Sequence, residues 1–499
     1  MNTAQSSNQH HRAQLEAIAH RVMIERGLLP DFSPNALAEL EQLPAPTASI
    51  HAGALRDLRG LLWCSIDNDD SRDLDQLTVA IPTPDDNVKI LVAVADVDSI
   101  VKDGSAIDEH ARHNTTSVYT AAKIFPMLPE KLSTDLTSLN FNEDRPAIVI
   151  EMLIGIDGAL QSSIIYRAMV SNHAKLAYKS VAAWLDGIAT IPEPVAVMSG
   201  LAENLRLQDK VAQSMKNFRH THGALSLETI EAQPIFDGNE ITDLGVEEKN
   251  RAKDMIEDFM ISANSVIARF LSASQLPSIR RVVRTPKRWD RIVEIAREHS
   301  SQLPNDPDAK ALNEFLIKAK QADPVRFPDL CLAVIKLMGP GEYVAEIQGS
   351  TPPGHFGLAV NAYTHSTAPN RRYADVLTHR LVKAALANQA SPYNFDTLSR
   401  LAQHITTQED AANKVERQVG KSAAALLFES KVGQQFDAIV TGASAKGTWV
   451  RLLGIPVEGK LVNSYEGLDV GHRIRVQLVS VDVEQGFIDF KRVNSNMVR

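Results

Sequence analysis

The sequence contains few cysteines and no long apolar run. Cys64 and Cys331 are the only cysteines among 499 residues, which excludes a disulfide framework and a cysteine-based zinc cluster and predicts a reducing compartment. The N-terminus lacks an apolar leader segment, and no apolar run approaches the length of a membrane span. We therefore expect a cytoplasmic protein that does not associate with membranes.

An excess of positive charge is also absent. The 52 lysine and arginine residues are outnumbered by 61 aspartate and glutamate residues, and the formal net charge is −9. This balance argues against a protein that coats nucleic acid without specificity. It is compatible with a nucleic-acid enzyme, because such an enzyme needs only a local basic channel. The length predicts about three domains.

The first part of the chain has the spacing of amphipathic helices. Leu15, Ile18 and Val22 recur at helical intervals within residues 12–45, and a short second helix is expected before a proline-rich segment that begins near residue 44. We predict that residues 1–57 form a small helical N-terminal module.

The central part of the chain mixes strand-like and helical patterns. Val88–Ala95 and Ala147–Ile154 have the composition of buried strands, whereas Val197–Arg219 and Glu247–Ala273 have helical periodicity. We predict an α+β protein in which residues 58–430 form one mixed α/β domain that ends in helices.

The last part of the chain, residues 431–499, changes to short strands at close intervals. Five strands in about sixty residues are typical of a small β-barrel, and the OB-fold is the commonest such barrel. The strand-like runs are Phe436–Thr441, Gly447–Leu452, Val457–Val462, Arg473–Val479 and Gly486–Phe490.

An acidic segment stands between two half-buried runs near the start of the central domain. It carries Asp67, Asp69, Asp70, Asp73 and Asp75 within thirteen residues, Cys64 to Gln76. So many carboxylates repel one another, and a hard divalent cation with oxygen ligands would neutralise them. The alternative is a solvated acidic turn between two strands.

The spacing of three of these aspartates resembles the signature of the ribonuclease II / ribonuclease R (RNB) family. Asp73 and Asp75 follow Asp67 by six and eight residues, as in the family's catalytic domain. Further segments match the family in the same order, and the resemblance extends over residues 58–386. These segments are Ala95–Val97, Thr116–Tyr119, Pro126–Ser133, His222–Leu225, Ile256–Met260, Gly354–Ala359 and Pro369–Arg380.

The resemblance implies a metal-dependent 3′-to-5′ exoribonuclease that hydrolyses single-stranded RNA to nucleoside 5′-monophosphates. Asp67, Asp73 and Asp75 would bind Mg²⁺ or Mn²⁺, with Asp75 the most critical of them, and no small-molecule cofactor is expected. Gln76 stands where the family has a fourth aspartate, and its amide oxygen could serve as a neutral ligand or hold a water. Asp69 and Asp70 lie outside the pattern and are expected to face solvent.

The resemblance also assigns roles to residues outside the acidic segment. Arg371 is expected to be the catalytic arginine, since a guanidinium can hold a phosphate and stabilise charge in the transition state. Arg372 would clamp the RNA backbone or form an ion pair. Tyr119 would stack on the 3′-terminal base, and Glu257 would order a water or contact a ribose hydroxyl, or be only a polar residue on an amphipathic helix.

Two further RNA contacts are predicted from local composition. Arg281 belongs to a basic cluster, Arg280 to Arg288, which forms either a solvated face or a strip along the RNA path. Trp449 in the C-terminal barrel suits a stacking platform or a core position, with Lys446, Arg451 and Lys460 nearby.

A second hypothesis is an RNA-binding or regulatory protein whose nuclease centre has decayed. It is favoured by Gln76, by Asn370 in place of the family's usual isoleucine, and by leucine where many members carry a second stacking phenylalanine, in Gly223–Leu227. Retention of the three aspartates and both arginines favours catalysis. Single-stranded RNA is the expected partner under both hypotheses, and no protein partner is predicted.

Overall fold

The computed structural model describes residues 11–43, 55–230, 232–246, 249–347, 349, 353–444, 447–463, 465–468 and 470–493. The predicted boundary after the first module, at 44–57, therefore falls largely outside the described residues. Lys446 falls wholly outside them. Within the described residues, no helix is long and apolar enough to cross a membrane.

Twelve helices and eighteen strands are present among the described residues. The helices are α1 His11–Glu25, α2 Pro34–Glu41, α3 Ala106–Asn114, α4 Tyr178–Leu185, α5 Glu193–Val197, α6 Leu201–Thr221, α7 Arg251–Ala273, α8 Trp289–Glu298, α9 Ala309–Ala322, α10 Phe327–Met338, α11 Tyr373–Leu386 and α12 Phe395–Phe428. The strands are β1 Arg56–Asp57, β2 Cys64–Asp67, β3 Gln76–Pro82, β4 Val88–Ala95, β5 Val118–Tyr119, β6 Ile124–Phe125, β7 Asp144–Ile154, β8 Leu160–Ser171, β9 Ala174–Ala177, β10 Ala232–Asp237, β11 Glu240–Val246, β12 Ser278–Val282, β13 Glu342–Glu346, β14 Gln435–Ser444, β15 Gly447–Leu452, β16 Glu458–Leu461, β17 Arg473–Asp482 and β18 Phe487–Arg492.

A seven-stranded sheet in the order β1-β8-β7-β4-β3-β2-β9 forms the centre of the main domain. The pairs β1–β8 and β2–β9 are parallel, and the other pairs are antiparallel. Alternate residues of β4 point to opposite faces, so Ile90 and Val92 enter a core with α7 and α11, whereas Leu91 and Ala93 pack with Trp63. Burial of both faces explains the continuous apolar run of β4.

The helical character predicted for the first module is confirmed by α1 and α2. The buried face of α1, which includes Leu15, Ile18 and Val22, packs in one cluster with Val415 and Val419 of α12. Helix α1 therefore does not form a core of its own, since its apolar stripe is buried against a helix nearly four hundred residues later.

The C-terminal strands β14 to β18 form a closed barrel in the order β14-β15-β16-β18-β17. Val450, Leu452 and Phe490 fill its interior and share a cluster with Ala425 and Phe428 at the end of α12. The OB-fold-like barrel predicted from the strand spacing is confirmed, and the long helix α12 connects its core to that of the main domain.

Candidate active site

The acidic segment connects the end of β2 with the start of β3. Distant backbone and side-chain groups hold this loop: the Leu74 N–H donates to Ser138 Oγ at 2.9 Å, and the Leu139 N–H donates to the Leu74 carbonyl at 2.9 Å. The Ala95 N–H donates to the Asp75 carbonyl at 3.0 Å. These bonds hold the loop at the adjoining ends of β2 and β3, where Asp67 and Asp73 line one cavity.

This cavity has a volume of about 590 Å³ and collects most of the predicted site residues. They come from β2, the loop before β3, the first residue of β3, β5, α7 and the turn before α11. Those on its wall are Asp67, Asp73, Gln76, Tyr119, Glu257, Arg371 and Arg372. Asp75 is only 2% exposed and lies beneath this wall, in contact with Arg371.

Asp75 is held by one backbone donor and one cation. Its Oδ1 accepts from the Asn370 N–H at 2.9 Å, and its Oδ2 lies 3.4 Å from Arg371 Nε. Burial raises the pKa of Asp75 to about 7, against the opposing attraction of Arg371 and with a contribution from Asp73. The carboxylate therefore lacks full compensation in this arrangement.

Arg372 is committed to an ion pair within the fold. Its Nη2 lies 2.8 Å from Oδ1 of Asp375, which is fully buried in the first turn of α11. The Ala368 N–H donates to the same oxygen at 2.8 Å. Of the two roles expected for Arg372, the structure contains the ion pair, and this pair fixes the turn that presents Arg371.

Tyr119 connects the acidic loop to α12. Its hydroxyl donates to Asp73 Oδ2 at 3.2 Å, and its backbone N–H donates to Glu416 Oε1 at 2.8 Å. The side chain remains 40% exposed on the cavity wall. Its ring is thus accessible to a ligand, and stacking on a base stays a prediction.

The donor set has the chemistry for a hard divalent cation but is not pre-assembled around one. Asp67, Asp73 and Asp75 offer carboxylate oxygens, and burial raises the pKa of Asp67, with Asp73 adding to that rise. Among the described residues, however, no group of three or more His, Cys, Asp or Glu side chains is arranged to hold a metal ion. Asp75 instead faces Arg371, and Asp73 accepts from Tyr119.

Two family models match the chain, the RNB domain over residues 55–388 and the RNase II-type exonuclease C-terminal S1 domain over residues 434–493. The chain belongs to the RNB family.

Individual relatives agree with this assignment. The chain is 28% identical to Ribonuclease R of Vibrio parahaemolyticus over 88% of its own length and 56% of that protein, so it spans little more than half of this relative. RNase R of Mycoplasma genitalium, solved in complex with ribose-methylated single-stranded RNA, is 22% identical with a TM-score of 0.86 over 97% of this chain and 78% of that one. Yeast Ssd1, described as a pseudonuclease, is 16% identical with a TM-score of 0.70 over 94% of this chain and 57% of that one. At these identities the two structures establish the fold.

Two residues of this RNB domain that received no role from the sequence also line the cavity. The parallel pairing of β2 with β9 places Tyr178 on the cavity wall, because Asp67 is opposite Ala177, the residue before Tyr178. No local sequence pattern could have indicated this position. Lys253 lies one turn before Glu257 on α7, so helical periodicity from the RNB motif could have found it.

Asn264, on α7, positions the segment that leads to the arginines. Its Oδ1 accepts from the backbone N–H and the hydroxyl of Ser366, both at 2.8 Å. Its Nδ2 donates to the Tyr363 hydroxyl at 3.3 Å. Asn264 is buried, and its bonds fix the approach of the chain to Ala368.

The basic cluster at 280–288 is divided, because Arg284, Lys287 and Arg288 are exposed whereas Arg280 and Arg281 are not. Arg280 is buried and paired with Glu346, so its inclusion in an RNA-facing strip was wrong. Arg281 pairs with Glu409, stands 4.8 Å from the Tyr343 ring centroid and is 17% exposed. It does not line the cavity, and a role for Arg281 towards RNA stays a prediction without support from its position.

Trp449 lies on the outer face of the barrel rather than in its core. Its ring covers Gly447 and Gly442, where an added Cβ would stand 3.3 and 3.5 Å from ring atoms. Arg451, expected nearby as a phosphate contact, is instead paired with Asp329 of α10 at 2.8 Å. Lys460 is the cross-strand neighbour of Trp449, and RNA binding by Trp449 stays a prediction.

Asp69 and Asp70 are exposed and do not line the cavity, as expected for turn residues.

A second cavity of about 540 Å³ adjoins the first, with Glu257 and Leu358 in both walls. Leu225 and Leu227, at the position of the missing aromatic, line this second cavity.

Proposed function

We propose that the chain is a divalent-metal-dependent 3′-to-5′ exoribonuclease that hydrolyses single-stranded RNA to nucleoside 5′-monophosphates. The observation that carries the proposal is the cavity of the RNB domain, where Asp67 and Asp73 share a wall with Arg371 above the buried Asp75. Ribonuclease R is the name of the relative from Vibrio parahaemolyticus.

Arg371 acts on the phosphate at the cleavage site. Its guanidinium binds a non-bridging oxygen and stabilises the additional negative charge of the transition state. Asp75 orients this guanidinium through its contact with Nε. The Asn370 N–H donates to Asp75, so the turn before α11 positions the Arg371 guanidinium through Asp75.

The strand enters along the second cavity, and its last nucleotide lies beside Tyr119. Stacking of a base on Tyr119 would contribute about 1–3 kcal/mol without regard to sequence. Glu257, at the junction of the two cavities, contacts a ribose hydroxyl. Single-stranded RNA in the Mycoplasma genitalium structure supports this ligand class.

Asp67, Asp73 and Asp75 would hold Mg²⁺ or Mn²⁺, with Gln76 supplying a neutral oxygen or a water. A bound divalent ion would lower the pKa of a water and neutralise phosphate charge. The proposal includes a cytoplasmic location and the lack of a small-molecule cofactor. Cys64 and Cys331 are both free thiols, which is compatible with a reducing compartment.

Incubation of the purified chain with a labelled single-stranded oligoribonucleotide and Mg²⁺ or Mn²⁺ tests the proposal. We expect nucleoside 5′-monophosphates, and we expect Asp75→Asn to abolish their release while RNA still binds. Binding without any release of monophosphate by the unaltered chain would reject the nuclease function.

That result would support the second candidate, an RNA-binding protein without nuclease activity. Two observations favour it: Gln76 replaces a carboxylate, and among the described residues the carboxylates are not gathered into a metal-holding group. Ssd1 shows that a protein described as a pseudonuclease has this fold. Retention of Asp67, Asp73, Asp75 and Arg371 around one cavity is the reason for preferring catalysis.

A further inference from the structure

A small hairpin, β5–β6, carries Tyr119 to the wall of the catalytic cavity. Its two strands form a separate two-stranded sheet, and a ribbon of this size is marginally stable at best on its own. Its side chains alternate between two faces: Val118 and Phe125 are buried, whereas Tyr119 and Ile124 are exposed. The position of Tyr119 therefore depends on the elements that hold the hairpin.

The two ends of the hairpin are held by distant parts of the chain. At its base, the Ser117 N–H donates to the Arg371 carbonyl at 3.0 Å. At its tip, Arg12 Nη1 donates to the Ala122 carbonyl at 3.2 Å. The hairpin thus extends from the turn before α11 to helix α1.

The turn of the hairpin is closed by its own hydrogen bonds. The Thr120 N–H and hydroxyl both donate to the Lys123 carbonyl, at 3.2 and 2.6 Å, and the Lys123 N–H donates to Thr120 Oγ1 at 3.1 Å. Because Thr120 directly follows Tyr119, a contact that fixes Ala122 in this turn also fixes Tyr119.

Helix α1 covers the buried face of the same hairpin. Leu15 and Ile18 of α1 belong to one apolar cluster with Val118 and Phe125. Apolar packing is not directional, so it holds the hairpin against α1 without defining where its tip lies. A hydrogen bond at the tip supplies that direction.

Arg12 is itself restrained by the β10–β11 hairpin. Its guanidinium carbon stands 4.4 Å from the Phe236 ring centroid, and its backbone N–H donates to the Asn239 carbonyl at 3.2 Å. Both the backbone and the guanidinium of Arg12 are therefore fixed, and Arg12 presents its donor to Ala122 from a defined place.

We propose that Arg12 is a positioning residue for Tyr119, which it holds on the cavity wall through the tip of the β5–β6 hairpin. Arg12 does not line the catalytic cavity, and it acts on the last base of the RNA only through Tyr119. The inference rests on the proposed stacking of the 3′-terminal base on Tyr119, but not on hydrolysis. It gives helix α1 a role in substrate binding.

The contribution of the terminal base to RNA affinity tests this assignment. Two oligouridylates are compared in EDTA, one with a 3′-terminal adenosine and one with a 3′-terminal abasic ribose, and Asp75→Asn is the parent chain to prevent cleavage. The ratio of the two affinities measures stacking of the last base, whereas a general structural defect changes both affinities equally. We expect a ratio of about 5 to 150 in the parent and no preference in Tyr119→Ala.

Arg12→Met is expected to lower this ratio by about 2- to 10-fold, the range that corresponds to one hydrogen bond. Arg12→Lys retains a donor and a cation over Phe236, and its ratio is expected to stay close to that of the parent. Arg21→Met is the matched control, because Arg21 lies on the same helix but pairs with Glu25 and with Glu484 of the turn between β17 and β18. It is expected to leave the ratio unchanged.

An unchanged ratio in Arg12→Met, or the same decrease in Arg12→Met and Arg21→Met, would overturn the proposal. A parental ratio in Tyr119→Ala, or no RNA binding by the parent, would also overturn it, because Arg12 would then have no stacking residue to position. If Arg12→Met does not fold, as judged by its far-ultraviolet circular dichroism spectrum, Arg12→Gln replaces it.

Failure of the proposed nuclease function gives a different result. Absence of monophosphate release by the unaltered chain rejects hydrolysis, whereas the affinity ratio is measured without cleavage. A ratio that decreases in Arg12→Met and not in Arg21→Met supports the positioning role in either case.

Discussion

At the scale of single residues, Asp75 is a buried carboxylate whose pKa burial raises far above its ordinary range. Its pKa of about 7 in the folded chain lies above the ordinary value of 3.8, so the folded state binds a proton more tightly than the unfolded state does. Stability therefore falls as pH rises between these two values, and the penalty is complete above about pH 7.

Asp75→Asn removes this penalty. In EDTA, the variant is expected to be more stable than the unaltered chain near pH 8, by up to about 4 kcal/mol for a shift of this size. The difference should shrink as pH falls and disappear near about pH 2, where Asp75 is protonated in both states. Urea unfolding at several pH values measures it, and a constant difference across this range would contradict the raised pKa.

Gln76→Asp tests the residue at which this chain departs from the family. A fourth carboxylate on the cavity wall is expected to raise the affinity for Mg²⁺, measured by calorimetric titration, since hard cations prefer charged oxygen donors. In EDTA the same change should lower stability, because the new charge joins Asp67 and Asp73. Gln76→Asn is the neutral control, and equal Mg²⁺ affinity in both variants would exclude Gln76 from the cation site.

Asn370 replaces the expected isoleucine with a buried hydrogen bond. Its Oδ1 lies 2.5 Å from Thr137 Oγ1, and the side chain is completely buried. A double-mutant cycle of Asn370→Ile and Thr137→Val is expected to give a coupling free energy of about 1 kcal/mol in urea unfolding. Additive effects would show that the bond does not contribute to stability.

At the scale of secondary-structure elements, α1 offers two isoleucines in contrasting positions. Ile18 is 2% exposed and packs in the cluster with α12, whereas Ile24 is 58% exposed. Ile18→Ala is expected to cost about 2–5 kcal/mol of unfolding free energy through lost burial and a residual cavity. Ile24→Ala should change it by less than about 0.5 kcal/mol, and equal effects would mean that α1 does not pack on α12 in solution.

At the scale of the whole molecule, the barrel contacts α12 at a point without room for a side chain. A Cβ on Gly486 would stand 2.7 Å from Lys421 Cβ and 2.9 Å from the Ser422 backbone nitrogen, and its φ is +65°. Gly486→Ala must therefore shift the barrel away from the helix.

We expect faster hydrogen exchange of α12 amides near Ser422 in Gly486→Ala and weaker RNA binding. Gly433→Ala is the control, because Gly433 also has a positive φ, +92°, but nothing within 4 Å of the added Cβ. It imposes backbone strain without the clash. The same increase in exchange in both variants would show that strain, rather than contact with α12, causes it.

Local sequence patterns predicted the helices at the start of the chain, two long helices and two strands of the central domain, and the barrel strands, because such patterns depend on neighbours in the chain. Periodicity placed β4 at its observed ends and the barrel strands within a few residues. The spacing of Asp67, Asp73 and Asp75, with the ordered RNB motifs, predicted which residues gather around one cavity, and Arg371 and Tyr119 are found there.

Only the tertiary structure decided which charges remain available to a ligand, because ion pairs form between segments far apart in the chain. A run of arginines at 280–288 cannot show that Arg280 meets Glu346 or that Arg281 meets Glu409. Likewise, pairing of β2 with β9 brings Tyr178 beside Lys253. The sequence alone determined some of the elements and the acidic motif, whereas long-range packing determined the electrostatics of the site.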